Sequence, residues 1–351
     1  MKNKKKIVVA PLNWGLGHAT RCIPIIRALL AEGFEPLIAS DGVALDLLKK
    51  EFPDLKHIHL PSYHIVYPKN GKYFLWKILS NGHKMIYAIF SERRAIQKIV
   101  KEHQIDGVIS DNRLGIFSSK VPSVFITHQL QVMTGIATRL SSWMHRQIIK
   151  KYRACWVPDL EGSVNLSGAL GHLKKKLPNV EYIGPLSRLR KIDLPIRYEL
   201  MVILSGPEPQ RTFLEEKLIA ELQPFQGNIL FVKGKIEAEQ TTTVQPPFTF
   251  YNFMNADQLA TAFNESKEVL CRSGYTTVMD LAFLEKKAFF IPTPGQFEQV
   301  YLADLYAKMG IAPTCTQEEF TLGKLEHIKN YTGLPKIENE TDWKKLFSVF
   351  D

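Results

Sequence analysis

The sequence predicts an α/β protein made of two Rossmann-like parallel-sheet domains facing a cleft. Three observations lead there. The chain has 351 residues, enough for two domains of roughly 100 to 200 residues with a full core each. Short apolar β-type runs alternate with helical patterns, as strands buried on both faces of a parallel sheet require. The alternation stops once, at Tyr182-Ile183-Gly184-Pro185 and the polar, basic stretch after it, and then restarts. The expected division is 1–190, 191–337 and a C-terminal helix at 338–351 that could return to the first domain.

Each element follows from its local pattern. Lys6–Pro11 is an apolar strand, and a glycine-containing loop leads into a helix over Thr20–Ala31, with Ile23, Ile26, Leu29 and Leu30 on one face. Phe34–Ala39, Asp106–Asp111 and Pro122–Thr127 read as further strands that end in polar residues. Beyond the joint, Leu200–Leu204 is a strand, Ser205–Pro209 a turn and Thr212–Leu222 a helix. Asn228–Val232, Thr249–Tyr251, Glu268–Cys271 and Ala288–Ile291 continue the strands. At the end, Trp343, Leu346, Phe347 and Phe350 behind a cap-like Thr341 predict a short amphipathic helix.

Composition excludes several classes. With 45% hydrophobic and 23% charged residues, the chain is neither a disordered tail nor a membrane bundle. The apolar run after the basic start is too short for a signal peptide, so a cytoplasmic protein is expected. The four cysteines lie too far apart for a C-x-x-C clip, which leaves buried thiols as the default. Charge is uneven: residues 1–190 carry 29 Lys/Arg against 13 Asp/Glu, whereas 191–351 carry 16 against 22. A basic half suits nucleic acid, an anionic membrane surface or a phosphate-bearing substrate, or serves solubility.

Two constellations carry chemistry. In Asn13-Trp14-Gly15-Leu16-Gly17-His18-Ala19-Thr20-Arg21, Gly15 and Gly17 permit close backbone approach to a ligand, and the following helix start favours an anion. A dinucleotide fingerprint shares these features, with Asp41 near the place of a ribose-binding acid, but Thr20 stands at its third glycine. His18 either takes a proton from an incoming hydroxyl or merely packs at the helix start. The second constellation is Cys271–Leu281. Gly274 permits a turn, Ser273, Thr276 and Thr277 can hold a phosphate, and Asp280 lies one turn further in, where a carboxylate can grip a ribose diol. Glu298 and Gln299, in the polar loop after the next strand, offer donors and acceptors suited to sugar hydroxyls.

Together, these residues resemble the family 28 glycosyltransferases of the GT-B fold, the group containing the N-acetylglucosaminyltransferase that completes lipid II. The likeness in layout spans nearly the whole chain, while the G-L-G-H loop and the segment from Cys271 to Ala303 are motif-specific. The resemblance implies an inverting transfer of a hexosyl or N-acetylhexosaminyl group from a nucleoside diphosphate sugar, UDP-linked, to a hydroxyl acceptor, lipid-linked or membrane-associated. It assigns Gly15, Gly17 and His18 to the acceptor side, Thr277 to the diphosphate, Asp280 to the ribose, and Glu298 with Gln299 to the sugar. Phe253 and Met254 would border the base, and Ser205 and Gly206 stand where the family has a second glycine-rich turn. Asp280 replaces a usual glutamate, and Glu298 replaces the first of two glutamines. By analogy with related GT-B enzymes, Asp111 orients His18; otherwise it caps a turn with Asn112. His128 is a further candidate on the same side. Arg211 is expected to pair with Glu215 one turn on.

No metal or other cofactor is expected, because helix-start amides would stabilise the leaving diphosphate and no D-x-D motif occurs. Aromatic and basic residues interleave from Tyr63 to Arg94, including Tyr67, Lys69, Lys72, Trp76, Lys77, Lys84 and Phe90, a mixture that suits a peripheral site on an anionic membrane or the packing of a helical insertion. No nucleic-acid recognition motif accompanies the charge. Three alternatives stay open at this level: a nucleotide-sugar epimerase of the same fold, an NAD-dependent oxidoreductase, and a non-catalytic nucleotide-sugar-binding protein.

Overall fold

The computed structural model describes residues 4–63, 82–235, 237–337 and 341–351. They form two units: 4–63, 82–186 and 341–351 make up the first, and 187–337 the second. Both are parallel-sheet α/β units, as the alternating pattern requires.

The first unit runs β1 (Lys6–Pro11), α1 (Gly17–Ala31), β2 (Glu35–Ser40), α2 (Gly42–Glu51), β3 (Lys56–His59), α3 (Gly82–His103), β4 (Gly107–Asp111), β5 (Ser123–Ile126), α4 (Thr138–Ile149), β6 (Ala154–Val157) and β7 (Val180–Tyr182). Its seven strands are all parallel, in the order β3-β2-β1-β4-β5-β6-β7. Ile7 to Pro11 and all of β4 are buried, which explains their unbroken apolar character. Val8, Ala10, Leu37 and Val108 pack with Ile96 and Val100 of α3 on one side. Helix α1 starts at Gly17 and not at Thr20, so His18 sits in its first turn.

Chain order reverses between β1 and β4, because the strands proceed outward through β2 and β3 before β4 returns to the other flank of β1. In open α/β sheets, ligands bind beyond the carboxyl ends of the strands at such a reversal. Here that place lies between the loop after Pro11 and the end of β4 at Asp111.

A buried network braces this end. The Arg113 guanidinium donates to Glu92 of α3 (2.6 Å), to Asp41 (2.8 Å) and to the Pro61 carbonyl (2.6 Å), and Tyr63 donates to Glu92 at 2.6 Å. Asn13 also donates to Asp41, at 3.2 Å. Asp41 thus accepts from both Arg113 and Asn13.

The C-terminal segment packs within the first unit, with a short helix α9 (Trp343–Phe347) followed by one 3₁₀ turn. Phe347 and Phe350 are buried beside Phe34 and Trp156. Gly107 makes room for this, since a Cβ there would lie 2.4 Å from the Phe350 ring. The cap of this helix differs from expectation. Asp342 accepts from the Lys345 amide, while Thr341 donates to the Ile183 carbonyl at 2.8 Å and so anchors the segment instead of capping it.

The second unit runs β8 (Tyr198–Ile203), α5 (Gln210–Leu222), β9 (Ile229–Val232), β10 (Thr242–Gln245), β11 (Phe248–Tyr251), α6 (Ala256–Asn264), β12 (Ser266–Cys271), α7 (Tyr275–Phe283), β13 (Lys287–Phe290) and α8 (Phe297–Lys308). Strand order is β10-β11-β9-β8-β12-β13, parallel except for the β10–β11 pair. The reversal now falls between β8 and β12, whose carboxyl ends lead into Ser205-Gly206 and into Ser273-Gly274. Arg211 does not pair with Glu215. It bonds Glu208 and the Lys233 carbonyl, and Glu215 takes Lys233 (3.0 Å) and Lys235 (2.9 Å), which the loop after β9 brings over it.

Candidate active site

At the reversal of the first unit, four side chains converge. His18 Nδ1 stands 3.1 Å from Asp111 Oδ1, bringing together two residues 93 positions apart. Arg21, one turn along α1 from His18, forks onto the same carboxylate, with Nε 2.7 Å from Oδ2 and Nη2 bonded to Oδ1. Its Nη2 is also 2.8 Å from His18 Nδ1, and its Nη1 is 3.2 Å from His128 Nδ1. Asp111 and Arg21 are fully buried, whereas the His18 side chain keeps 14% of its surface exposed. Beside them, Gly15 has φ +86°, a left-handed conformation that glycine adopts without strain, and a Cβ there would meet nothing. Gly17 is the first residue of α1, and no side chain caps that helix start.

The electrostatics follow from this packing. Burial would raise the Asp111 carboxyl, but Arg21 and His18 outweigh it and hold the group well below the usual carboxylate range. Burial lowers His18; Asp111 pulls it back and Arg21 lowers it again, so that the net shift is downward. A neutral imidazole on a permanent carboxylate, with part of its surface exposed, is the arrangement of a general base.

At the reversal of the second unit, α7 begins behind Gly274 without a side-chain cap and presents Thr276 and Thr277 in its first turn. Gly274 has φ −70°, which any residue adopts, so the turn does not require glycine. A Cβ there would meet nothing, so the turn opens onto free space. Ser205 and Gly206 are exposed, and Gly206 does need its left-handed φ of +99°. Ser273 is buried and donates to the Gln299 carbonyl at 2.7 Å, tying α7 to α8. Gln299 is itself buried, and its side-chain oxygen accepts from the Thr293 amide at 2.8 Å, so its NH₂ group is what it has to offer a sugar. Glu298 lies beside it in the first turn of α8, partly exposed. Asp280 accepts from Ser187 at 2.6 Å, and burial pushes its carboxyl up to about 6. In the loop after β11, the Phe253 amide donates to Asn252 (2.9 Å) and its carbonyl accepts from Gln240 (2.6 Å).

Comparison with known proteins decides between the readings. Residues 210–333 match the glycosyltransferase family 28 C-terminal domain. Two relatives align over most of their length. An uncharacterized glycosyltransferase of Methanopyrus kandleri is 21% identical, covering 91% of this chain and 92% of the relative. The UDP-N-acetylglucosamine–N-acetylmuramyl-(pentapeptide) pyrophosphoryl-undecaprenol N-acetylglucosamine transferase of Actinobacillus pleuropneumoniae is 24% identical, covering 90% and 86%. Among solved structures, MurG of Acinetobacter baumannii superposes with a TM-score of 0.56 at 14% identity, over 93% of this chain and 89% of that one. The protein is a glycosyltransferase of the GT-B fold, and its C-terminal half carries a family 28 domain. The oxidoreductase alternative falls away with this.

Two functional-looking arginines escaped the sequence reading. Arg21 was visible three positions after His18, a helical spacing that places both on one face. Arg272 is buried at the end of β12, where it donates to the Ile291, Pro292 and Gln210 carbonyls and to Gln317, at 2.8–3.2 Å. It thereby clamps the loops around the start of α7. No local pattern announces such a clamp, because its partners are main-chain oxygens from two segments and the Gln317 side chain from a third. Among the described residues, no cluster of His, Cys, Asp and Glu is placed to hold a metal ion. All four cysteines are free and buried.

Proposed function

We propose that the protein moves a sugar from a UDP-linked donor to a hydroxyl of a lipid-linked or membrane-associated acceptor, in one inverting displacement that needs no metal. The observation that carries this reading is the pair of helix starts: α1 opens with His18 on Asp111, and α7 opens within a matched family 28 domain with Thr276, Thr277 and Asp280 in its first two turns. His18 Nε2 removes the acceptor proton as the oxygen attacks the anomeric carbon. The bond to the donor's diphosphate breaks with its electron pair, and the α7 amides and threonine hydroxyls take up the developing charge. Asp280 holds the ribose, and Glu298 with the Gln299 NH₂ group holds the transferred sugar. The activity by which the Actinobacillus relative is named supports the UDP donor and the lipid-linked acceptor.

Calorimetry with UDP, GDP and dTDP, followed by turnover of the matching labelled sugars, tests the donor. UDP should bind at least tenfold more tightly than the others, and EDTA should leave turnover unchanged. Preference for another nucleotide would overturn the donor assignment, and loss of activity in EDTA the metal-free mechanism.

The acceptor's location is supported by apolar surface on the basic half. Helix α3 exposes Ile86, Tyr87 and Phe90, and α4 exposes Leu140, Trp143 and Met144 beside Arg139, while Ser142, His145 and Ile149 form its buried stripe. Lys69, Lys72 and Lys77 and the aromatics between them lie outside the described residues. No described helix is long and apolar enough to cross a membrane. The protein should co-sediment with anionic vesicles and release as salt rises, since each basic residue near such a surface contributes about 1 kcal/mol and is screened beyond ~10 Å. Trp143→Ser combined with Phe90→Ser should weaken this binding at least tenfold, as each buried ring contributes about 1.5–3 kcal/mol. Indifference to vesicles at low salt would rule the membrane site out and leave the transferase reading standing.

A further inference from the structure

We propose that Arg21 is the positioning residue that tunes His18: it takes Asp111 as its own ion partner and sets a donor against His18 Nδ1, so that the ring works as a neutral base and not as the cation of a histidine–carboxylate pair. This rests on the reading of His18 as the base. The geometry is specific. A guanidinium has only donors and a carboxylate only acceptors, yet His18 Nδ1 lies 2.8 Å from the one and 3.1 Å from the other. With its proton on Nδ1, the ring donates to Asp111 and turns the Nε2 lone pair outward, ready to accept a proton. With its proton on Nε2, Nδ1 accepts from Arg21 and the ring can give that proton up. The two neutral tautomers each have a partner. The imidazolium keeps the Asp111 partner but loses the acceptor that Nδ1 offers Arg21, and it sets a second positive charge against the guanidinium.

Among the described residues, the charged or titratable groups acting on the ring are Arg21 from α1, Asp111 from β4 and His128 after β5, while Cys22 of α1 faces the Asp111 carboxylate. Burial disfavours the charged ring, Asp111 pulls toward it, and Arg21 offsets part of that pull. A carboxylate without the guanidinium would hold the ring's proton more tightly. Lysine could supply the charge but not the three-nitrogen fork that reaches Asp111, His18 and His128 together.

The test reads the ring directly. His18 is titrated by NMR in the wild type, Arg21→Lys and Arg21→Gln, with His18→Gln assigning the signal, and kcat/KM is measured against pH in parallel. Arg21→Gln should raise the His18 midpoint and the acid limb of the rate profile together, by about one pH unit or more. Arg21→Lys should leave the midpoint near the wild-type value and lower the rate at all pH values. Should Arg21→Gln not fold, the double variant Arg21→Gln with Asp111→Asn is compared with Asp111→Asn alone, and its His18 midpoint should lie above that of the single variant, since only the guanidinium differs between them. A His18 midpoint unmoved by loss of the guanidinium, with kcat/KM merely scaled down, would overturn the proposal and make Arg21 a structural residue. Failure of the base reading looks different: His18→Ala would then retain full turnover whatever the titrations show.

Discussion

His18→Ala should lower turnover by about 10²- to 10⁴-fold while leaving nucleotide affinity within twofold of the wild type, because a positioned general base contributes that much and touches the donor's nucleotide not at all. The variant is a clean probe. The Arg21–Asp111 pair stays intact beneath it, so no buried charge is orphaned, and the deleted ring was partly exposed. Asp111→Asn should act on the same step, but it leaves Arg21 facing a neutral amide in a buried site and costs stability as well. The double variant should lose less than the sum of the two single losses, since both act through one proton transfer. Additive losses would separate Asp111 from the base. The pH dependence has a definite sign. The His18 pKa is lowered on folding, so the neutral, competent form persists below the ordinary 6.5. The stability that comes from burying it neutral is present above that value and is lost as pH falls through it. A rate that rose on acidification from pH 7 to 6 would contradict the assignment.

Much of this was legible because it is local. Ile7–Pro11 and Gly107–Asp111 announce themselves as strands because both faces are buried, and Gly15, Gly17 and His18 stand together in one loop. The meeting of His18 with Asp111 came through resemblance, since nothing in a linear pattern brings positions 93 apart to 3.1 Å. Strand order does that: β4 lies against β1 with Asp111 opposite Pro11, so the end of one strand faces the loop leaving the other. What stayed illegible shares a physical character. Arg113 and Arg272 are charged residues in the core, whose partners come from three or more segments, and sequence patterning assigns arginine to the surface by default. Short strands such as Lys56–His59 escaped for a second reason, because two of four positions are exposed and the run has no apolar core. Thr341 looked like a cap because threonine is a good one, but the neighbouring Asp342 is a stronger acceptor and the hydroxyl found the Ile183 carbonyl.

Asp280→Asn should give two effects of opposite direction at pH 8: a more stable unliganded protein and a weaker grip on the donor. Burial raises the Asp280 carboxyl from 3.8 to about 6. A carboxyl raised on folding contributes stability that is complete below its unfolded pKa and is lost as pH rises through the folded one. Above pH 6 the folded protein therefore carries an ionised group it would bind better neutral, a cost of about 2–3 kcal/mol at most and less for a side chain that keeps some solvent contact. Asparagine is neutral at every pH and can still accept from Ser187, whose hydroxyl lies 2.6 Å from the carboxylate. The apo Tm should accordingly rise by a few degrees at pH 8, where 1 kcal/mol shifts a domain of this size by about 2–4 °C, and the difference should vanish near pH 5 as the wild-type carboxyl protonates. Donor binding moves the other way. A charge-assisted hydrogen bond to the ribose contributes about 1.5–3 kcal/mol, so UDP affinity should drop roughly tenfold to a hundredfold, and wild-type affinity should itself decline between pH 7 and 5. Paired scanning calorimetry and titration calorimetry decide the matter. A variant less stable than the wild type at pH 8 would mean that the carboxylate is held by its own surroundings, and unchanged UDP affinity would take Asp280 out of the nucleotide site.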